Sequence, residues 1–331
     1  MNEDLLELNG LNMLAMGGTE LMMRGLYDKL PRNLLEKFQI FPSRISVPLN
    51  KNKIKILWVH DFPGDPMYDH LKDGGWQKFH KIVFVSNYQM NFFIQMYKIP
   101  YSHCNVLLNA IEPIEAHEKQ VNKINLAYWS TPQRGLHILL PVFNKLCEKW
   151  PNLELYVHSS FGLYHQLERD KQFQPLIDQM NSNPKIHYQA PLHNDSLRHN
   201  LKFYHILAYP SVWHETSCRV LMEAMSAGML AVIPNLGALS ETAANFANMY
   251  QFQEMPGQHA NHFYSALDAS IDGYAAMAAR LKLQKLYADT FYTWSKRVVE
   301  WTALLKSMEN ISLKPPVQTP QDKKFFEYKA G

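Results

Sequence analysis

Tyr209-Pro210-Ser211-Val212-Trp213-His214-Glu215-Thr216-Ser217-Cys218-Arg219-Val220-Leu221-Met222-Glu223-Ala224-Met225-Ser226-Ala227-Gly228 sets the end of a strand, a loop and a helix in one run of residues. Ile206 to Tyr209 is an apolar run short enough for a buried strand, and Pro210-Ser211 ends it. A loop then carries Glu215, and a helix opens at Thr216 or Ser217 and runs through Val220 to Ala227 until Gly228 stops it. The free N–H groups of such a helix start receive an anion. Two carboxylates, Glu215 and Glu223, bracket that terminus and can grip hydroxyl-bearing groups on either side of a bound phosphate. A nucleotide sugar has that layout.

Outward from this stretch, apolar runs alternate with helix-length amphipathic segments, the pattern of α/β units with parallel sheets. Towards the C-terminus, Leu230 to Ile233 is the next strand, and from His262 to Met308 the periodicity is helical. Towards the N-terminus, strands are expected at Lys185–Tyr188, Leu153–Val157 and Ile124–Trp129, with helices over Asp195–Phe203 and Leu136–Lys149. The charged stretch Glu112 to Lys123, which holds Pro113, separates these units from an earlier set. That set comprises Leu11–Met16 followed by the Gly17-Gly18 turn and a helix, then Ile54–Val59 running into His60-Asp61, and Ile82–Val85 running into the N-cap candidates Ser86 and Asn87.

The composition agrees with two packed domains. At 331 residues, 47% hydrophobic and 19% charged, the chain has the apolar material for real cores and is neither disordered nor fibrous. Thirty-three Lys and Arg against thirty Asp and Glu leave +3, too little for affinity resting on many nucleic-acid phosphates. Cys104, Cys147 and Cys218 make no disulfide framework and no zinc motif. His193, His199 and His205 recur every six residues, a spacing that does not gather them on one helical face, so no metal site is read. The acidic start Met1-Asn2-Glu3-Asp4 and the lack of any apolar run of membrane-spanning length lead to the expectation of a soluble, cytoplasmic protein.

The quoted motifs resemble those of the retaining glycosyltransferases of family 4, which have the GT-B fold. Pro210-Ser211, the Glu215/Glu223 pair and Glu223-Ala224-Met225 through Gly228 match the family's signature. Gly237-Ala238-Leu239-Ser240-Glu241 is similar to its Gly-Gly-x-x-Glu turn, and Gln133-Arg134-Gly135-Leu136 to its Lys-Gly-Leu or Arg-Gly-Leu. The likeness covers about residues 124 to 300 well and the first domain loosely. It implies two Rossmann-like doubly wound domains facing each other across a cleft: residues 1–115 as a trimmed acceptor domain, 116–290 as the nucleotide-sugar donor domain, 291–311 as a helix crossing back, and 312–331 as an extended or mobile tail.

The resemblance also implies roles. Glu215 would bind hydroxyls of the transferred sugar, Arg134 would neutralise the diphosphate, and His60 would contact the reacting sugar. Glu223 would bind the ribose, backbone amides near Ser217 and Cys218 the sugar and diphosphate, and Leu192 the nucleobase, while Gly17 and Gly18 would approach the donor from the other domain. The implied reaction is a retaining, metal-independent sugar transfer to an acceptor hydroxyl, with no cofactor. An epimerase or hydrolase acting on a nucleotide sugar, or a non-catalytic nucleotide-sugar-binding protein, are the alternatives. Two departures stand out. The family's Arg ahead of the Lys-Gly pair is missing from Trp129-Ser130-Thr131-Pro132, so one phosphate cation is absent or supplied elsewhere. The Gly-Phe-Gly after the first Glu is here Thr216-Ser217-Cys218, which leaves the loop's shape and the donor open.

Overall fold

The computed structural model describes residues 17–115, 117–119, 123–189 and 194–315. The expected strand Leu11–Met16 and the nucleobase candidate Leu192 lie outside the described residues, as does the tail from residue 316. Among the described residues the strands form two sheets, all of whose pairings are parallel.

The first sheet has the order β1-β2-β3-β4, with β1 at Phe38–Pro42, β2 at Ile54–Val59, β3 at Lys81–Phe84 and β4 at Cys104–Val106. Its helices are α1 (Gly18–Lys29), the single turn α2 (Arg32–Leu35) and α3 (Asn87–Tyr97). Ser86 caps α3 by accepting a hydrogen bond from the Gln89 amide. Every residue of β2 is buried, as expected of a strand in a parallel sheet covered on both faces; five of the six are apolar, and Lys55 turns its ammonium to Lys53 O at 3.0 Å.

The second sheet has the order β10-β9-β8-β5-β6-β7. Its strands are β5 (Ile124–Tyr128), β6 (Leu153–His158), β7 (Ile186–Gln189), β8 (Ile206–Ala208), β9 (Leu230–Pro234) and β10 (Asn248–Tyr250). The helices in this half are α4 (Leu136–Lys149), α5 (Gln174–Ser182), α6 (Asn194–Asn200), α7 (Arg219–Ser226), α8 (Leu239–Ala243), α9 (Pro256–Asp272) and α10 (Ala278–Phe291). The order reverses at β5 and β8, and the crevice beyond the strand ends at such a reversal is where open α/β sheets bind ligands.

Three readings need correction. The strands β1 and β10 were not anticipated: Phe38-Gln39-Ile40-Phe41-Pro42 ends on a proline, and Asn248-Met249-Tyr250 is too short to show a period. The helix expected from Thr216 or Ser217 begins at Arg219, because Cys218 is still extended, at φ −84° and ψ 95°, and serves as the N-cap.

The last helix, α11 (Trp294–Met308), returns to the first half of the chain. Trp294, Trp301, Leu305 and Met308 are buried in one core with Met22, Met23 and Leu26 of α1 and with Trp58 of β2. Gly25 allows α1 and α11 to approach, since a Cβ there would lie 1.9 Å from the Trp294 ring. The two connecting segments run side by side: Ile111 N–H donates to Tyr292 O at 2.7 Å, and Trp294 N–H donates to Ile111 O at 3.2 Å. The Trp301 ring is fully buried and meets Trp58 edge-on at 4.9 Å. Trp301→Ala is therefore expected to destabilise the protein by about 3–5 kcal/mol, measured by denaturant unfolding; a loss near zero would show that α11 is not part of this core.

Candidate active site

The site is built on the loop between β8 and α7, and two glycines on neighbouring elements hold that loop. Gly135, just before α4, has φ +113°, and a Cβ there would lie 2.1 Å from Pro210 O. Gly237 has φ +62°, and a Cβ there would lie 2.7 Å from both the N and the O of Glu215. Both positions combine a left-handed backbone with contact against main chain, so glycine is the residue that fits. The Ala238 amide also donates to Glu215 O at 2.7 Å. The loop is clamped at its start and at Glu215.

Glu215 is 6% exposed. Its Oε1 accepts from Arg134 Nη1 at 2.7 Å and from Tyr209 Oη at 2.6 Å. Arg134 sits in the turn before Gly135, with its guanidinium carbon 5.7 Å from the Trp213 ring centre and its buried Nε without a partner. Burial opposes the charge on Arg134, but facing Glu215, Tyr209 and Tyr164 outweighs burial and raises its pKa well above the ordinary value. Burial, and then the Glu215 carboxylate, push the Tyr209 hydroxyl and the Cys218 thiol well up, so both stay protonated as hydrogen-bonding and packing groups.

Glu223, 3% exposed, lies in the second turn of α7. It accepts from Arg219 Nη2 at 3.1 Å and pairs with Arg198 Nη1 at 3.6 Å. Each carboxylate of the pair thus carries its own arginine partner. Between them, the Ser217 hydroxyl is buried and unpartnered, and Cys218 is 2% exposed.

From the first sheet, His60 follows β2 directly and packs on Trp58 at 4.5 Å. Its Nε2 is buried without a partner, and burial pushes its pKa down to about 3, so the ring is neutral. Gly17 and Gly18 start α1. A Cβ on Gly17 would lie 2.6 Å from the Tyr164 ring of the second half, whereas Gly18 has open space beside it. Glu215, Arg134 and Ser217 therefore stand in one loop cluster, with His60 joined to it through the Thr216 hydroxyl, which donates to His60 O at 2.6 Å. Glu223 lies deeper along α7 with its own arginines.

Sequence reasoning missed Tyr209, Tyr164, Arg198 and Arg219. Tyr209 and Arg219 stood beside recognised motif residues but read as strand and helix, and nothing local to Tyr164 or Arg198 signals a contact made across the fold. Among the described residues, no three His, Cys, Asp or Glu side chains come together as a metal-binding group. The three cysteines are free thiols, and no helix among the described residues is long and apolar enough to cross a membrane.

Residues 114–269 match the family described as glycosyl transferases group 1. No curated protein matches the chain. A glycosyltransferase from Rickettsia africae superposes with a TM-score of 0.62 at 13% identity, covering 90% of this chain and 82% of its own. HepE from Anabaena, solved in complex with UDP-glucose, gives 0.62 at 14% identity, over 88% and 77%. Sucrose-phosphate synthase from Thermosynechococcus elongatus gives 0.65 at 11% identity, over 88% and 78%. The clamped Glu215 loop and its arginine lie inside the matched segment: residues 114–269 form a group 1 glycosyltransferase domain, and the two parallel sheets give the chain the GT-B fold.

Proposed function

We propose that this enzyme moves a sugar from a nucleoside diphosphate sugar to an acceptor hydroxyl with retention of configuration, using no catalytic metal and no cofactor. The observation that carries this reading is the Arg134–Glu215 pair at 2.7 Å, held in a loop that leads into α7. A cation is needed where the diphosphate gathers charge as it departs, and a carboxylate where sugar hydroxyls must be gripped. In the proposed reaction the bond from C1 to the diphosphate oxygen breaks and the acceptor oxygen bonds to C1 on the same face. The acceptor proton passes to the departing phosphate. The protein positions the groups and stabilises charge.

Within this reading Arg134 and the amides near Ser217 and Cys218 hold the diphosphate, Glu215 the sugar hydroxyls, and Glu223, oriented by Arg219 and Arg198, the ribose. His60, neutral and with a free ring nitrogen, offers the sugar a hydrogen bond without adding charge. Gly17 and Gly18 bring the start of α1 to the donor. Residues 1–115 form the acceptor domain and 116–290 the donor domain. Because HepE was solved with UDP-glucose, UDP-sugars are the first donors to try.

Thermal shift without added metal against UDP-, GDP-, ADP- and CDP-sugars tests the donor. Saturation at a hundred times the dissociation constant stabilises the fold by about 2.7 kcal/mol. One base is expected to shift the melting point, and Glu223→Ala is expected to abolish the shift; a shift kept in that variant removes Glu223 from the ribose site. With the donor in hand, Glu215→Ala is expected to lower kcat/KM by about a hundredfold in a protein that still melts cooperatively. Unchanged turnover would refute the sugar-binding role.

His60 gives a prediction in pH. Its folded pKa, about 3, lies below its ordinary 6.5, so between those values the unfolded chain binds a proton that the folded chain does not. Stability therefore rises with pH through that window and is lost as pH falls below about 6.5. His60→Phe keeps a buried ring and removes this contribution, so the drop in unfolding free energy between about pH 7 and 4.5 should be shallower than in the wild type. Equal slopes would mean that the wild-type ring is not buried in solution.

A further inference from the structure

The loop that presents Glu215 touches the first half of the chain at three of its residues. His214 Nδ1 is 3.1 Å from Tyr88 Oη, the Thr216 hydroxyl donates to His60 O at 2.6 Å, and Ser217 O accepts from Asn109 Nδ2 at 3.4 Å. The turn that braces Glu215 from behind, Gly237-Ala238, leads into α8, whose Glu241 reaches across as well. Its Oε1 accepts from the Asn87 amide at 2.9 Å and from Asn87 Nδ2 at 2.9 Å, and its Oε2 accepts from the Tyr88 amide at 2.9 Å. Asn87 and Tyr88 open α3, so a carboxylate from the second half completes the capping of a first-half helix whose own cap, Ser86, serves only the Gln89 amide.

These contacts close a circuit. From the first turn of α3, Gln89 Nε2 donates to Asp61 O at 2.7 Å. Asp61 follows His60, whose carbonyl takes the Thr216 hydroxyl, and Thr216 follows Glu215, which Gly237 and Ala238 tie back towards Glu241. The circuit runs through the main chain of both proposed sugar-binding residues, His60 and Glu215, and crosses between the halves of the chain at Glu241 and at Thr216. Thr216 stands where the resembled family has a glycine, which has no hydroxyl to donate. The Asn87 bonds are solvent-exposed, so the crossing at Glu241 can open to admit a donor.

We propose that Glu241 and Thr216 are positioning residues that hold the first domain closed on the Glu215 loop, so that His60 and Glu215 face the same donor sugar. The proposal rests on the roles given to His60 and Glu215 above. Neither residue is assigned a contact with the diphosphate, so closure and nucleotide binding are separable.

The test uses the full chain as wild type, Glu241→Ala, Thr216→Val, the double variant, and Thr216→Ser, which keeps the hydroxyl. Small-angle scattering without ligand is expected to give a larger radius of gyration for the double variant than for the wild type, with Thr216→Ser matching the wild type. Binding of UDP, GDP, ADP and CDP, followed calorimetrically, should be unchanged in every variant for whichever base the wild type binds. Transfer should lose about ten- to a hundredfold in kcat in the double variant, and Thr216→Ser should restore it in the Thr216 background. An unchanged scattering profile overturns the proposal, and so does a kcat loss matched by an equal loss of diphosphate binding. A wild type that binds none of the four diphosphates overturns the function proposed above, and scattering then still decides whether these two residues close the domains.

Discussion

A carboxylate taken out of water must be paired, and the Glu215 carboxylate, with Arg134 and Tyr209 on one oxygen, is the constraint around which the rest of this site is arranged. Removing one partner of a buried pair costs about 3–5 kcal/mol, so the loop is bound to the turn before α4 as firmly as by a packing contact. The same pairing keeps a cation beside an acid without collapse onto solvent. The Arg134 side chain stays 24% exposed beside the Trp213 ring, while its Nε is buried without a partner.

That pair can exist only because the backbone beneath it is held to tight tolerances. A Cβ at Gly135 would run into Pro210 O and one at Gly237 into both the N and the O of Glu215, so a side chain at either position would push the loop away. The loop in turn lies at the carboxyl end of β8, beside the point where the strand order of the second sheet reverses. Parallel sheets leave their strand ends and helix starts on the same edge, which explains why acids, arginines and free amides converge there.

The two halves of the chain meet across polar contacts at the cleft and across an apolar core at the back. Trp294, Trp301, Leu305 and Met308 place α11 in the first core, beside the paired segments at Ile111 and Tyr292. Burial of large rings in that core strengthens the rear connection, whereas hydrogen bonds on the cleft side, several of them open to water, are individually weak. A firm back and a weakly held front suit the proposed transfer, in which a donor enters between the two halves.

Much of this was legible in the residues alone. The alternation of apolar runs with amphipathic segments specified α/β units, and the starts and stops of β2 and α4 followed from local chemistry: continuous burial in one, Gly135 and the periodicity in the other. The Glu215/Glu223 spacing, and through the family resemblance the Arg134-Gly135 dipeptide, pointed to the candidate site, because a short motif on a strand-loop-helix unit reads from neighbouring residues. What tertiary structure alone decided are the contacts between segments distant in the chain. They include the pairing of Arg134 with Glu215, Arg198 reaching Glu223, Tyr164 against Gly17, and Glu241 capping α3. The Thr216-Ser217-Cys218 departure became intelligible only once His60 O was seen to accept the Thr216 hydroxyl. Local propensity and period are properties of a window of residues, but a hydrogen bond between residues 60 and 216 depends on how two sheets are set against each other, and no window contains that.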